Sequence, residues 1–242
     1  ISPTGRIHAF SDDADGIVRA DAAGFVVLKR VEDAMRDGDN ILAVIKGSAT
    51  NSDGHSNGLT APNPEAQVDV LRRAYADAGV DPHQVDLVEA HGTGTILGDP
   101  IEATALGEVL GRGREAYQPL LLGSAKSNIG HSESAAGVVA LIKVLEALKH
   151  DTIPESINFA APNRYVDFDA ERIEVVQDPR EWPRYSGRRV AGISGFGFGG
   201  TNAHVVVADF DPADYNFDVV EDEPAFEGVS AAALPVSGLL PS

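Results

Sequence analysis

The 242-residue sequence contains no cysteine. Within these residues that excludes disulfides, thiolate-bound metals and cysteine nucleophiles at once. No stretch comes near the roughly 20 apolar residues that a membrane-spanning helix needs, and no basic-then-apolar leader opens the chain. No membrane span and a cytoplasmic location are therefore expected. Positive charge is scarce: 19 Lys and Arg face 37 Asp and Glu, a formal charge of -18. That balance speaks against nucleic acid as a partner, because affinity for a phosphate backbone comes mainly from Lys and Arg. No pair of histidines or carboxylates has metal-ligand spacing, so no metal site is expected.

The hydrophobic fraction of 43% and charged fraction of 23% suit a globular chain long enough for a sizeable core. Charge is unevenly spread. After Arg189 there is no Lys or Arg, while eight acidic residues follow between Asp209 and Glu227. With three prolines and no sustained period, residues 209–242 read as an acidic linker whose apolar patch at 229–240 docks on a surface. Residues 1–208 read as the structured body.

In the body, apolar runs alternate with helical periods. Residues 25–28 and 41–45 read as strands joined by a turn at 37–40, followed by a polar loop over 47–63. Pro64 opens a helix whose stripe is Val68, Leu71, Tyr75 and Ala78, closed by Gly79. Strands are predicted over 85–88, 120–122, 173–176, 190–193 and 203–207. Asp99-Pro100-Ile101-Glu102 resembles an N-cap, a first-turn proline and a Glu at the third position. The strongest helix is predicted over 134–150, with Val138, Leu141, Ile142, Leu145 and Leu148 buried. The alternation points to an α/β layer fold with a mainly parallel sheet.

Three small-residue loops lie at strand ends, where open α/β sheets bind ligands. In Glu89-Ala90-His91-Gly92-Thr93-Gly94-Thr95, two glycines permit close backbone approach and two threonines offer hydroxyls beside an imidazole. In the second loop, residues 123–131, His131 would lie just before a helix N-terminus, which depresses an imidazole pKa. A neutral imidazole there donates to an oxygen that becomes negative during reaction. Lys126 either pairs with Glu133 or Glu102 or serves the site directly. The third loop, residues 194–202, matches G-x-G-x-x-G at Gly195, Gly197 and Gly200, yet a strand follows where a dinucleotide site needs a helix. Its Phe196 and Phe198 read equally as rings on a mobile hinge or as core filling on a tight hairpin. His8, His55, His83 and His150 read as surface residues, and His204 as structural.

Taken together, the segments 88–95 and 98–102, then Lys126-Ser127-Asn128-Ile129-Gly130-His131, then Gly197-Phe198-Gly199-Gly200-Thr201-Asn202-Ala203-His204, resemble the β-ketoacyl synthase family. The likeness is to ketosynthase domains of modular type I polyketide synthases and, within them, to the mycolic-acid condensing type. It implies a thiolase-like fold of five layers, αβαβα, with this chain as the C-terminal half plus the end of the first. Residues 15–24 resemble the segment before the halves join, although Ala20-Asp21-Ala22 stands where the family usually has Gly-Glu-Gly. The tail resembles the start of a linker toward an acyltransferase domain.

By the same resemblance, the nucleophilic cysteine lies upstream in the other half. His91 and His131 are the enolate-stabilising donors, Lys126 tunes them electrostatically, and Thr93 and Thr95 hold a phosphopantetheine arm. Phe198 is an aromatic gate and Asn202 a polar support. No cofactor is bound directly; the phosphopantetheine arm of an acyl carrier protein brings the substrate. The implied partners are that carrier, the cysteine-bearing N-terminal half and a second copy in a homodimer. The six arginines from Arg164 to Arg189 are the candidate contact for an acidic carrier. Other readings are a cysteine-less decarboxylase, a non-catalytic partner resembling a chain-length factor, and nucleotide binding through the turn at Gly92 and Gly94.

Overall fold

The computed structural model describes residues 1–54, 62–215 and 217. In chain order the elements are α1 (Val31–Asp37), β1 (Val44–Ser52), α2 (Pro64–Ala78), β2 (Leu87–Glu89), α3 (Gly98–Leu106), β3 (Leu120–Gly123), the short α4 (Lys126–Ile129), α5 (Ala136–Lys149), β4 (Thr152–Ile153), α6 (Phe168–Glu171), β5 (Ile173–Val175), β6 (Arg180–Glu181), β7 (Val190–Phe196) and β8 (Thr201–Ala208). Six strands form one sheet in the order β1-β8-β7-β2-β3-β5. Strands β7, β2, β3 and β5 run parallel, joined by long connections that carry the helices. Strands β8 and β1 complete the sheet antiparallel, because the β7–β8 link is a tight glycine-rich hairpin.

Alternation along each strand sends side chains to opposite faces. Val88, Leu120, Leu122, Val190 and Val206 join Leu71, Tyr75 and Leu106 in one core, under α2 and α3. Leu87, Leu121, Ala191, Ile193 and Val207 join Val144, Ala147 and Leu148 in the other, under α5. Helix, sheet and helix make three of the five expected layers among the described residues.

Two glycines set how closely these layers approach. At the bulge in β1, a Cβ on Gly47 would stand 2.3 Å from the Ala78 amide nitrogen, so only glycine lets α2 lie down there. A Cβ on Gly192 would meet Tyr75 Oη at 2.4 Å and His204 Nε2 at 2.6 Å. Those two atoms share a 2.9 Å hydrogen bond in a fully buried cluster, where burial pushes the His204 pKa down to about 3. Gly192→Ala is therefore expected to destabilise the domain that carries this chain by about 1–3 kcal/mol, read as a shift of the urea midpoint.

Several expectations need correction. Residues 25–28 pair with no strand among the described residues, and Phe25 and Val27 are almost fully exposed, since a ladder requires a neighbour. Residues 31–37 are a charged helix closed by Gly38 in the left-handed region, and β1 extends to Ser52 through what reads as loop. Helix α3 starts at Gly98, so Asp99 lies inside its first turn instead of capping it. On α5 the inward stripe is Ala140, Val144, Ala147 and Leu148, while Ile142 is partly exposed and faces Gly24 together with Val138. His8 is half-buried, with Nδ1 3.0 Å from the Asn158 carbonyl and 3.2 Å from Asp13, and is no surface residue. His204 is buried and structural as expected, bonded to Ser194 and Tyr75.

The compact body runs from Ile1 to Asp211. Beyond it, Pro212–Asp214 forms a single 3-10 turn, and the rings of Tyr215 and Phe217 stack with centroids 6.0 Å apart. His55 and most of the acidic tail, including its apolar patch, lie outside the described residues. No described helix is long and apolar enough to cross a membrane.

Candidate active site

Strand β2 ends at Glu89, and the loop leaving it is held by carboxylates from the first turns of α3. Glu102, buried, accepts from the His91 and Gly92 amides at 2.7 and 2.8 Å. Asp99, also buried, accepts from Thr95 N at 3.2 Å and Phe10 N at 2.7 Å. Positive φ at Gly92 (41°) and Gly94 (71°) lets the chain fold over these acceptors, and Ser124 Oγ donates to the Gly92 carbonyl at 2.8 Å. Burial raises both carboxyl pKa values, that of Asp99 to about 6. The His91, Gly92 and Thr95 amides are thus committed to protein carboxylates and not turned toward a ligand, which argues against the nucleotide reading.

His131 arrives from the neighbouring strand. β3 leads through α4 to Gly130, whose φ of 83° redirects the chain. His131 N donates to the Val18 carbonyl at 2.7 Å, and Ala20 N donates to the His131 carbonyl at 3.0 Å, so residues 18–20 fix its backbone. A 3-10 turn, Glu133–Ala135, separates His131 from α5, so it does not sit at that helix's first turn. Burial, then the Lys126 charge, lowers its pKa.

The two rings meet edge to face with centroids 5.6 Å apart. Phe196 N donates to His91 Nδ1 at 3.2 Å, and Glu133 N donates to His131 Nδ1 at 3.0 Å. A nitrogen that accepts carries no proton, so each neutral ring holds its hydrogen on Nε2. Burial, then Lys126, also holds His91 well below the ordinary imidazole range.

Both histidines line one cleft of about 470 Å³, with Thr93, Thr95, Phe198 and Asn202 on its walls. The threonine hydroxyls lie 3.3 Å apart, and Gly98 N donates to Thr95 Oγ1. Phe198 stands on the β7–β8 hairpin, largely exposed. Asn202 is buried, and its Nδ2 donates to Asp53 Oδ1 at 2.7 Å and Asn51 Oδ1 at 3.1 Å, tying the hairpin to the end of β1.

Lys126 lies beneath the site, 6% exposed, surrounded by Glu89, Glu102 and Asp99, and burial lowers its pKa. Neither expected ion pair forms: Glu133 pairs with Arg19 at 2.6 Å, and Glu102 is committed to backbone amides. Instead Lys143 from α5 pairs with buried Glu89 at 2.6 Å, a contact that sequence reasoning missed. The wall residues Gln67 and Asp53 were missed as well, while Phe196, singled out with its loop but given no site role, lies with its ring 5.7 Å from His91. Among the described residues no three His, Asp or Glu side chains converge as metal ligands.

With this geometry established, comparison with known proteins is direct. The profile of the β-ketoacyl synthase C-terminal domain matches residues 42–160, that of the N-terminal domain residues 1–34, and the ketoacyl-synthetase C-terminal extension residues 162–231. The chain belongs to the β-ketoacyl synthase family and carries part of its thiolase-like fold. It is 58% identical over 207 residues to one component of the phenolphthiocerol/phthiocerol polyketide synthase of Mycobacterium tuberculosis, covering 86% of this chain and 11% of that protein. It is 47% identical over 231 residues to pikromycin polyketide synthase component PikAII of Streptomyces venezuelae, covering 95% of this chain and 6% of that one. The ketosynthase from module 6 of the bacillaene synthase of Bacillus subtilis superposes with a TM-score of 0.82 at 40% identity, over 87% of this chain and 38% of its own. Within the family the chain falls among ketosynthase domains of modular type I polyketide synthases, and it spans only a small part of these curated relatives.

Proposed function

We propose that this chain supplies the enolate-stabilising part of a decarboxylative condensing enzyme, a β-ketoacyl synthase, whose nucleophilic cysteine comes from the preceding half of the domain. The single observation behind this reading is the pair of imidazoles in one cleft, each with Nδ1 occupied by a backbone N–H and its proton on Nε2. The acyl chain rests on the cysteine as a thioester. A malonyl-type thioester loses carbon dioxide, and the C–C bonding pair becomes an enolate whose oxygen takes negative charge. His91 and His131 donate to that oxygen through Nε2–H. The enolate carbon then attacks the acyl carbonyl, and the cysteine sulfur leaves.

The remaining cleft residues take supporting roles. Thr93 and Thr95 hold the phosphopantetheine arm of the carrier protein. Lys126 lowers both imidazole pKa values through its field, with no direct contact. Phe198 gates the cleft, and Asn202 anchors the gate's hairpin. Retention of both donors favours condensation over a purely scaffolding partner. Five of the six arginines between Arg164 and Arg189 already face Asp or Glu side chains, Arg172 being the exception, so this face offers little free positive charge to an acidic carrier.

The pH profile tests this reading. Both histidines must be neutral to act, and both have folded pKa values below 6.5. In the enzyme assembled with its cysteine-bearing half, kcat/KM for condensation is expected to stay level as pH falls to 6.5 and to drop only below it. An acid limb centred at or above the ordinary histidine value would overturn the assignment.

A further inference from the structure

The same cleft carries a side chain with no role so far. Gln67 lies in the first turns of α2, where Asn63 caps the helix and Asn51 Nδ2 donates to the Ala66 carbonyl at 2.7 Å, so its backbone is fixed. It is 2% exposed and lines the same cleft as His91 and His131. Its Oε1 is buried and accepts no hydrogen bond from the described residues.

The surroundings explain why. Asn202 Nδ2 gives its hydrogens to Asn51 and Asp53, and Asn51 Nδ2 gives its own to Ala66 and Asp69. Asp53 and Glu102, which line the same cleft, are acceptors when ionised. An unpaired buried amide oxygen costs free energy, and such groups persist where a ligand supplies the missing partner.

We propose that Gln67 is a substrate-binding residue, whose side-chain amide accepts a hydrogen bond from an N–H or O–H donor on the bound thioester. The inference rests on the condensing-enzyme reading above and extends it to a residue that selects among substrates. Two parts of such a substrate offer the donor: an amide N–H of the arm or a hydroxyl on the acyl chain.

The test uses the enzyme assembled with its cysteine-bearing half and pairs of thioesters that differ in one donor. One pair has an arm amide replaced by an ester, and the other has an acyl hydroxyl removed. The wild type is expected to prefer the donor-bearing member of one pair by roughly five- to tenfold in kcat/KM. Gln67→Met, equal in length but without an amide, should abolish that preference, bringing the two members of the pair to equal kcat/KM whatever the absolute rate. Gln67→Glu, which keeps an acceptor, should retain the preference and guards against a folding defect in the first variant. The pair that responds identifies the donor. A wild type indifferent to both pairs, or a Gln67→Met enzyme with its preference intact, overturns the proposal while condensation itself persists. Absence of condensation with every thioester would instead strike the functional reading beneath it.

Discussion

His91→Ala is expected to lower kcat for decarboxylative condensation by roughly a hundred- to a thousandfold in the assembled enzyme, with a smaller change in KM. The reason is the tautomer. Phe196 N donates to His91 Nδ1, so the ring's proton is committed to Nε2 in the cleft that also holds His131. Alanine removes one of two donors at the site where charge develops, and a water entering the cleft is neither fixed in place nor shielded from solvent. His131→Ala should cost a similar factor. On the proposed roles both rings act on one oxygen, so the double variant should lose less than the product of the single losses. The check is product formation and carbon dioxide release from a malonyl-type thioester. Near-normal product from His91→Ala would count decisively against the assignment.

How much of this was legible in the sequence varies by element, and the physics differs each time. Helix α2 was plain because Pro64 starts it, its stripe falls at spacings of three and four, and Gly79 ends it in the left-handed region. Helix α1 was not, since its residues are mostly charged and only Ala34 is buried, so it has no stripe to detect. Helix α5 was seen as a helix, with Leu141 and Leu148 inward as expected, but Ala140, Val144 and Ala147 complete its inner face where Ile142 was expected. It is apolar nearly all round, and periodicity cannot choose among faces when most of them qualify. Residues 25–28 show the converse: β-type residues propose a strand, but only a neighbouring strand makes one.

The site's ends were legible and its supports were not. His91, Thr93, Thr95, His131, Phe198 and Asn202 lie in three glycine-marked loops, and the sheet order brings those strand exits together at one cleft. The acceptors behind them depend on contacts across the fold. Glu102 carries the segment signature of a helix start, yet its carboxylate serves the His91 loop. Asp99 likewise turns to Phe10, 89 positions away in the chain. One signal was available and unused: Lys143 interrupts an otherwise apolar run in α5, and a charge in such a place needs a buried partner.

That partner gives the second large effect, this one on stability. Glu89 is 1% exposed; its Oε2 accepts from Lys143 Nζ at 2.6 Å and its Oε1 from Ala125 N at 2.5 Å. Glu89→Ala leaves the Lys143 ammonium, itself only 16% exposed, without a counter-charge and the buried Ala125 amide without an acceptor. It also strips Lys126 of the carboxylate that does most to keep it protonated. Removing one member of a buried pair costs about 3–5 kcal/mol, several times the worth of an exposed pair. Replacing both members, as in Glu89→Leu with Lys143→Met, should recover a large share of the loss, because no unpaired charge then stays in the core. Glu89→Gln should fall between, since its amide oxygen still accepts from Ala125. Urea unfolding of the domain that carries this chain measures all three. A Glu89→Ala loss below ~1 kcal/mol would show the pair to be solvated like a surface contact. The same change should disturb catalysis, because Ala125 begins the turn through Lys126 and Gly130 that delivers His131 to its partner ring.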